Sequence, residues 1–138
     1  MNKHLLRNFL FALLVPLFLV SCGDDDDDNG ISPNVSLLTA GEWRGDAIYS
    51  DGEDVTDLIL EENGFDMTLY RSKFERDGTY QDSYPNETIP EGTWKFENNE
   101  RIIVFEDGTD DEYYVVVSKL DEDELSYVQS GFEFRFVR

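Results

Sequence analysis

Few side chains in this 138-residue chain can do covalent chemistry, and they sit in unpromising places: one cysteine, Cys22, and one histidine, His4. Nucleophilic catalysis needs a base beside the nucleophile. His4 lies in the basic start of a segment with the plan of a leader, so no Ser–His or Cys–His pair survives its removal. Carboxylates, in contrast, are abundant, with 31 Asp and Glu. Two of them at a glycosidase-like separation would therefore be uninformative, and the chain reads as a non-enzyme. Asp107, Asp110, Asp111 and Glu112 offer clustered oxygen ligands of the kind Ca²⁺ prefers, as do Asp121, Glu122, Asp123 and Glu124. Neither cluster has the spacing of an EF-hand loop, and acidic hairpin tips are usually solvated turns. Zinc would need a retained His or Cys, and no cofactor is expected. Asn86-Glu87-Thr88 matches the N-glycosylation pattern, a match read as chance. The third chemical resource is aromatic: Trp43, Trp94, Phe96, Tyr127, Phe132, Phe134 and Phe136 either fill an interior or line a ligand cavity. Bulky inward residues in a short chain favour filling.

The placement of Cys22 follows from what precedes it. Lys3, His4 and Arg7 make a basic start, and Phe9 to Val20 is an apolar run interrupted by Pro16. That run is shorter than the roughly 20 residues of a membrane span, which weighs against a transmembrane anchor. A lone exported cysteine can be an unpaired thiol or half of an intermolecular disulfide. Its position directly after Leu19-Val20-Ser21 points elsewhere.

Leu19-Val20-Ser21-Cys22 resembles the lipobox of bacterial lipoproteins. The resemblance implies cleavage before Cys22, a thioether-linked diacylglycerol on its sulfur and an acyl chain such as palmitate on the new amino group. Residues 1–21 would then be a lipoprotein signal peptide. Two or three acyl chains, at about 0.8 kcal/mol per buried CH₂, hold a protein durably where one does not. Gly23 to Asn34 reads as a solvated linker, because Asp24, Asp25, Asp26, Asp27 and Asp28 repel one another and Asn29-Gly30 and Pro33 break regularity. Residues 22–36 thus form an acidic tether. Its aspartates also resemble the signal that exports such lipoproteins to the outer face of the outer membrane, a solvated spacer being the other reading.

The formal charge is −20, and losing Lys3 and Arg7 makes the mature part more acidic still. Repulsion then opposes nucleic acid and anionic headgroups. Cations or basic partners suit it, although a surface can be acidic for solubility alone. Aromatic residues at 14% argue for a packed domain where charge alone suggests disorder.

The elements that must position these side chains are strands. Trp43, Gly45, Ala47 and Tyr49 alternate with Arg44 and Asp46, and Asp51-Gly52 supplies a turn. Val55 to Glu62 fits a short helix or a strand, with one helical turn preferred. Phe65, Met67 and Leu69 read as a strand continuing toward Phe74. Further strands are expected over 80–84, 92–96, 101–106, 113–120, 125–129 and 132–137, separated by turns such as Asp77-Gly78, Asn98-Asn99 and Ser130-Gly131. Tyr113, Val115 and Val117 share one face, which leaves Tyr114 on the other, available to a partner or glycan. A strand every eight to twelve residues, roughly, with short turns indicates an all-β fold. The expectation is a small up-and-down antiparallel β-barrel of about eight strands with at most one short helix.

Gly41-Glu42-Trp43, Phe74-Glu75-Arg76-Asp77-Gly78-Thr79-Tyr80 and Gly92-Thr93-Trp94-Lys95-Phe96, in that order, resemble the lipocalin-like domains of small Bacteroidota-type lipoproteins. The resemblance covers residues 37–138. It implies that Trp43 plugs one barrel end against a late arginine, Arg135 or Arg138. It further implies a membrane-anchored binding module for a small apolar ligand or a surface partner. The other reading is an accessory subunit of an envelope complex with a filled barrel. The chain departs from full lipocalins in its short length, lack of disulfide and lack of a second motif, which counts against a deep pocket.

Overall fold

The computed structural model describes residues 30–138. Cys22 and Asp24 to Asp28 lie outside them. The chain enters through helix α1 (Pro33–Leu38), where the Ser32 hydroxyl accepts the Val35 N–H at 3.1 Å and Pro33 opens the first turn. Residues 33–36, read as the end of the tether, are therefore helical. Strands follow as β1 (Glu42–Ser50), β2 (Glu53–Asp54), β3 (Arg71–Phe74), β4 (Thr79–Ser83) and β5 (Gly92–Glu97). The remainder are β6 (Ile102–Phe105), β7 (Tyr113–Leu120), β8 (Glu124–Gln129) and β9 (Phe132–Val137). Helix α2 (Thr56–Asn63) sits between β2 and β3, where a short helical turn was expected, and ends on Gly64 at φ 70°.

Every pairing is antiparallel, and β9 returns to β1, so β1 and β3 to β9 form a closed eight-stranded barrel. The two-residue β2 is an addition to the far half of β1. Asp51-Gly52 and Ser130-Gly131 turn their hairpins with two successive positive φ angles, the geometry that matches strand twist. The strand expectations from Tyr80 onward match these elements to within a residue or two. Among the described residues no helix is long and apolar enough to cross a membrane.

Two of the departures from simple alternation shape the interior. Gly45 pairs with Phe136 and Ala47 with Arg135, so Asp46 is an extra residue in β1, a bulge that exchanges the faces beyond it. The shared face expected of Trp43, Gly45, Ala47 and Tyr49 therefore ends at Gly45. Ile48 turns inward with 2% of its surface exposed, while Tyr49 lies outside under the Arg135 guanidinium, 5.5 Å from the ring centre. The second departure is the expected strand at Phe65, Met67 and Leu69, where Met67–Leu69 is a 3₁₀ turn. Asp66 explains it: its carboxylate accepts the Thr68 N–H at 3.0 Å and the Thr68 hydroxyl at 2.6 Å, a local bond that competes with a ladder. The turn packs onto β1 at Gly45, whose N–H donates to the Tyr70 carbonyl at 2.9 Å. A Cβ at Gly45 would come within 2.0 Å of the Met67 carbonyl oxygen.

One barrel end is plugged. Trp43 is fully buried and donates its indole N–H to the Leu38 carbonyl at 2.9 Å, with Leu38 itself fully buried. The Arg138 guanidinium stands 3.9 Å from the Trp43 ring centre and donates to the carbonyls of Leu37 and Glu122. Of the two arginines named as partners for Trp43, Arg138 is the one in place. Arg135 instead pairs with Asp46 outside, its Nε 2.6 Å from the carboxylate.

Candidate functional site

The plugged end leaves the other half of the interior to be filled, and side chains do not fill it completely. Inward positions of β3 and β4 are set by register: Trp43 faces Ser72, and Ser72 faces Asp82. Period-two alternation then puts Tyr80, Asp82 and Tyr84 on the inner side of β4. Across the barrel, β8 and β9 contribute Tyr127, Phe134 and Phe136, with Tyr127 5.8 Å from Phe134 and 5.3 Å from Phe136 between ring centres. The result is a chamber of about 160 Å³ bounded by these rings and by Met67, Tyr70, Phe74, Phe105 and Tyr113, with Ser72, Asp82 and Gln129 as its polar members.

A second hollow of about 290 Å³ lies toward the unplugged end, between Ile48, Phe132 and Ile59 of α2. The two share Phe65 and Phe134 as walls. Helix α2 is held there by the far half of β1, beyond the residues that pair with β3. Its Ile48 N–H then donates to the Thr56 hydroxyl at 2.9 Å, and its carbonyl accepts from Val55 at 2.8 Å.

Asp82 is the chamber's one carboxyl. It accepts from the Ser72 hydroxyl at 2.6 Å and from the Tyr70 hydroxyl. Burial pushes its pKa up from the ordinary carboxylate value, against the opposing pull of those two donors. Burial likewise raises the phenols of Tyr70, Tyr113 and Tyr127, which stay neutral across the ordinary pH range. Among the described residues no lysine or arginine forms an ion pair with Asp82; the ion pairs all involve other acids.

The aromatic residues singled out from sequence divide into three groups. Tyr127, Phe134 and Phe136 come together on the chamber, and Phe132 lines the outer hollow. Trp43 belongs to the plug. Trp94 and Phe96 pack edge to face at 5.5 Å, and the Trp94 indole N–H donates to the Glu75 carbonyl at 3.0 Å, so this pair is packing. Sequence reasoning missed Asp82, Tyr70 and Ser72. The alternation Tyr80-Asp82-Tyr84 carried the signal, an acid on a tyrosine face.

The acidic hairpin tip does not gather ligands. Asp107 pairs with Lys95 of β5 at 2.9 Å, and Glu112 accepts the Gly108 N–H of its own loop at 2.7 Å, which spends both. Among the described residues no group of three or more His, Cys, Asp or Glu is arranged to hold a metal ion. On the outer face of β7 and β8, Tyr114, Val116 and Val128 form an exposed apolar strip, Tyr114 at 64% exposure.

Comparison with known proteins gives the same architecture. The family described as a lipocalin-like domain matches residues 39–127, more than half of the chain. A DUF4847-family protein from Bacteroides vulgatus ATCC 8482 superposes with a TM-score of 0.55 at 15% identity, over 74% of this chain and 94% of that one. A lipocalin-like protein from Bacteroides uniformis ATCC 8492 gives 0.50 at 14% identity, over 72% and 97%. No curated protein matches. At these identities the solved structures speak to the fold alone.

Proposed function

Because this chain belongs to the lipocalin-like domain family, we propose that it is a non-enzymatic binding module, lipid-anchored through Cys22 at the outer membrane and facing outward, whose barrel takes a small apolar molecule. Barrels of this kind are typically binding proteins, and the fold suggests a binding module. One observation carries the ligand: the chamber of about 160 Å³, walled by aromatic rings and flanked by an apolar hollow of about 290 Å³. Barrels of about eight strands either pack their interior or hold one small ligand. A packed interior leaves few voids larger than a water molecule, and this one retains a lined void. An engineered cavity of roughly 150 Å³ is known to stay dry and bind benzene, which sets the scale of the bound part.

The anchor and the outward orientation rest on Leu19 to Cys22 and the aspartates after it. The accessory-subunit reading has one observation in its favour, the exposed strip of Tyr114, Val116 and Val128. A filled barrel was part of that reading, and the chamber weighs against it. Nucleic acid is disfavoured by the formal charge of −20.

Met67 offers a built-in test. The chain has two methionines, Met1 and Met67, and Met67 is 1% exposed on the chamber wall. A ¹³C-methyl label therefore gives the domain a single reporter inside the barrel. Titration with toluene, cyclohexane and longer alkyl analogues should move the Met67 resonance saturably. A resonance that stays fixed through the whole series would overturn the ligand reading.

A further inference from the structure

We propose that the chamber selects a small organic cation, a protonated amine on a compact apolar body, with its ammonium group on Asp82 and its body against the rings of Tyr127, Phe134 and Phe136. This rests on the binding reading above and names the chemistry of the ligand.

The argument starts from Asp82 as an unbalanced group. A carboxylate has about four acceptor positions, and protein donors, Ser72 and Tyr70, take two. Both donors are neutral hydroxyls, so they shorten the desolvation cost of the carboxylate without cancelling its charge. Sequestered carboxylates are ordinarily paired with a cation. Here Lys73 and Lys95, on the neighbouring strands β3 and β5, point outward to Glu75, Glu97 and Asp107. The cation that would balance Asp82 is thus absent from the described residues, and the chamber beside it is open to supply one.

The walls fit the same occupant. An ammonium group within about 6 Å of an aromatic face is attracted by the ring quadrupole, most strongly where water is excluded. The chamber presents several such faces around one acid and holds no basic side chain to repel a cation. Its volume of about 160 Å³ admits a body of roughly benzene size. The outer hollow, walled by Ile48, Ile59, Asn63 and Phe132 and sharing Phe65 and Phe134, offers a cation no carboxylate. The chain's formal charge of −20 also raises the local concentration of cations. A neutral apolar ligand would use the rings and leave Asp82 uncompensated. An anion would meet Asp82 directly.

Benzylamine and benzyl alcohol are near-isosteric and differ in charge, which makes them the discriminating pair. The Met67 methyl resonance of the intact domain, read in about 0.15 M salt to screen the acidic surface, reports binding inside the barrel rather than on it. Benzylamine should bind about tenfold more tightly than benzyl alcohol, the scale of one charge-assisted hydrogen bond with cation–π support. In Asp82→Asn the side-chain shape is kept and the charge is lost, with one of the two hydroxyls turning to accept from the amide, so the preference for benzylamine over benzyl alcohol should vanish. Equal affinities in the unaltered protein would overturn the cation inference and leave the apolar binding reading standing. Failure of benzylamine, benzyl alcohol and toluene alike to move Met67 would overturn both. Since the comparison is made first in the unaltered protein, it decides the matter even if Asp82→Asn does not fold.

Discussion

Asp82 is where the chain's acidity changes meaning. Among the described residues, acids such as Asp107, Glu112 and Asp121 spend their charge on turns and surface pairs, whereas Asp82 is held among rings by Tyr70 and Ser72. Its raised pKa has a sign that can be tested apart from any ligand. The folded protein holds the proton more tightly than the unfolded chain, whose carboxyl titrates near 3.8. The unfolded state therefore binds fewer protons between those two pKa values, and stability falls with rising pH through that window. Asp54, Asp77, Asp121 and Glu124 have lowered pKa values and act oppositely, giving stability that is lost as pH falls. Comparison with Asp82→Asn cancels them. The stability of that variant relative to the unaltered protein should climb as pH rises from 3.8 and level off above the folded pKa, as read by urea denaturation across a pH series. A flat difference would mean that Asp82 titrates as an ordinary carboxyl. Asp82 was readable in principle, since Tyr80, Asp82 and Tyr84 share a parity. What hid it was the number of other acids, which made any single one look like surface.

At the level of elements, alternation and turn residues were good guides wherever each strand had one apolar face, as in Tyr113-Val115-Val117 and Phe132-Phe134-Phe136. They failed where a single residue changed the parity. Asp46 is polar in a strand whose next two residues, Ala47 and Ile48, are both apolar, so the sequence allowed either of them to continue the inner face. The partner strand decides, and its register is a long-range fact: Gly45 meets Phe136 and Ala47 meets Arg135. Met67 and Leu69 misled for a related reason, since apolar residues two apart fit a strand until Asp66 captures the Thr68 N–H. Gly45 joins the two departures, because the 3₁₀ turn rests on the space where its side chain would be. Gly45→Ala places a methyl 2.0 Å from a backbone oxygen, and neither β1 nor the turn can move without disturbing its neighbours. That variant should lose about 2 kcal/mol or more, as overpacked sites do, measured as a lowered urea midpoint with the slope unchanged. Gly52→Ala is a poor control because its φ of 84° strains any side chain. Thr93→Ala, on the exposed face of β5, serves better.

For the whole molecule, the plugged and unplugged ends of the barrel have separate duties. Trp43, Leu38 and Arg138 tie α1 and the last strand to the closed end, and this division was anticipated for Trp43, with Arg138 and Arg135 left to be distinguished. The tether enters at that same helix, since α1 begins at Pro33. The proposed anchor makes a prediction at this scale: Cys22→Ala should release the protein from membranes into the soluble fraction, and persistent membrane association after a carbonate wash would refute lipidation. Replacing Asp24 to Asp28 by alanine should reduce cleavage by external protease in intact cells, with fractionation unchanged. Undiminished cleavage would reduce the aspartates to a spacer. In both variants, stability and the Met67 resonance should be those of the unaltered protein.

The seam between β1 and β9 has a consequence in time. Its ion pair, Asp46 with Arg135, joins residues 89 positions apart in the chain. Synthesis delivers β1 first among the barrel strands and β9 last, so until β9 is made β1 lacks one of its two partners. Closure must wait for Phe132–Val137, and a barrel that closes through so distant a pairing is a slow folder. Under the export proposed above, that delay would be useful: the chain would remain threadable until the last strand has emerged. The same delay leaves strand edges open to other copies of the chain, and a formal charge of −20 opposes their pairing until the seam is sealed.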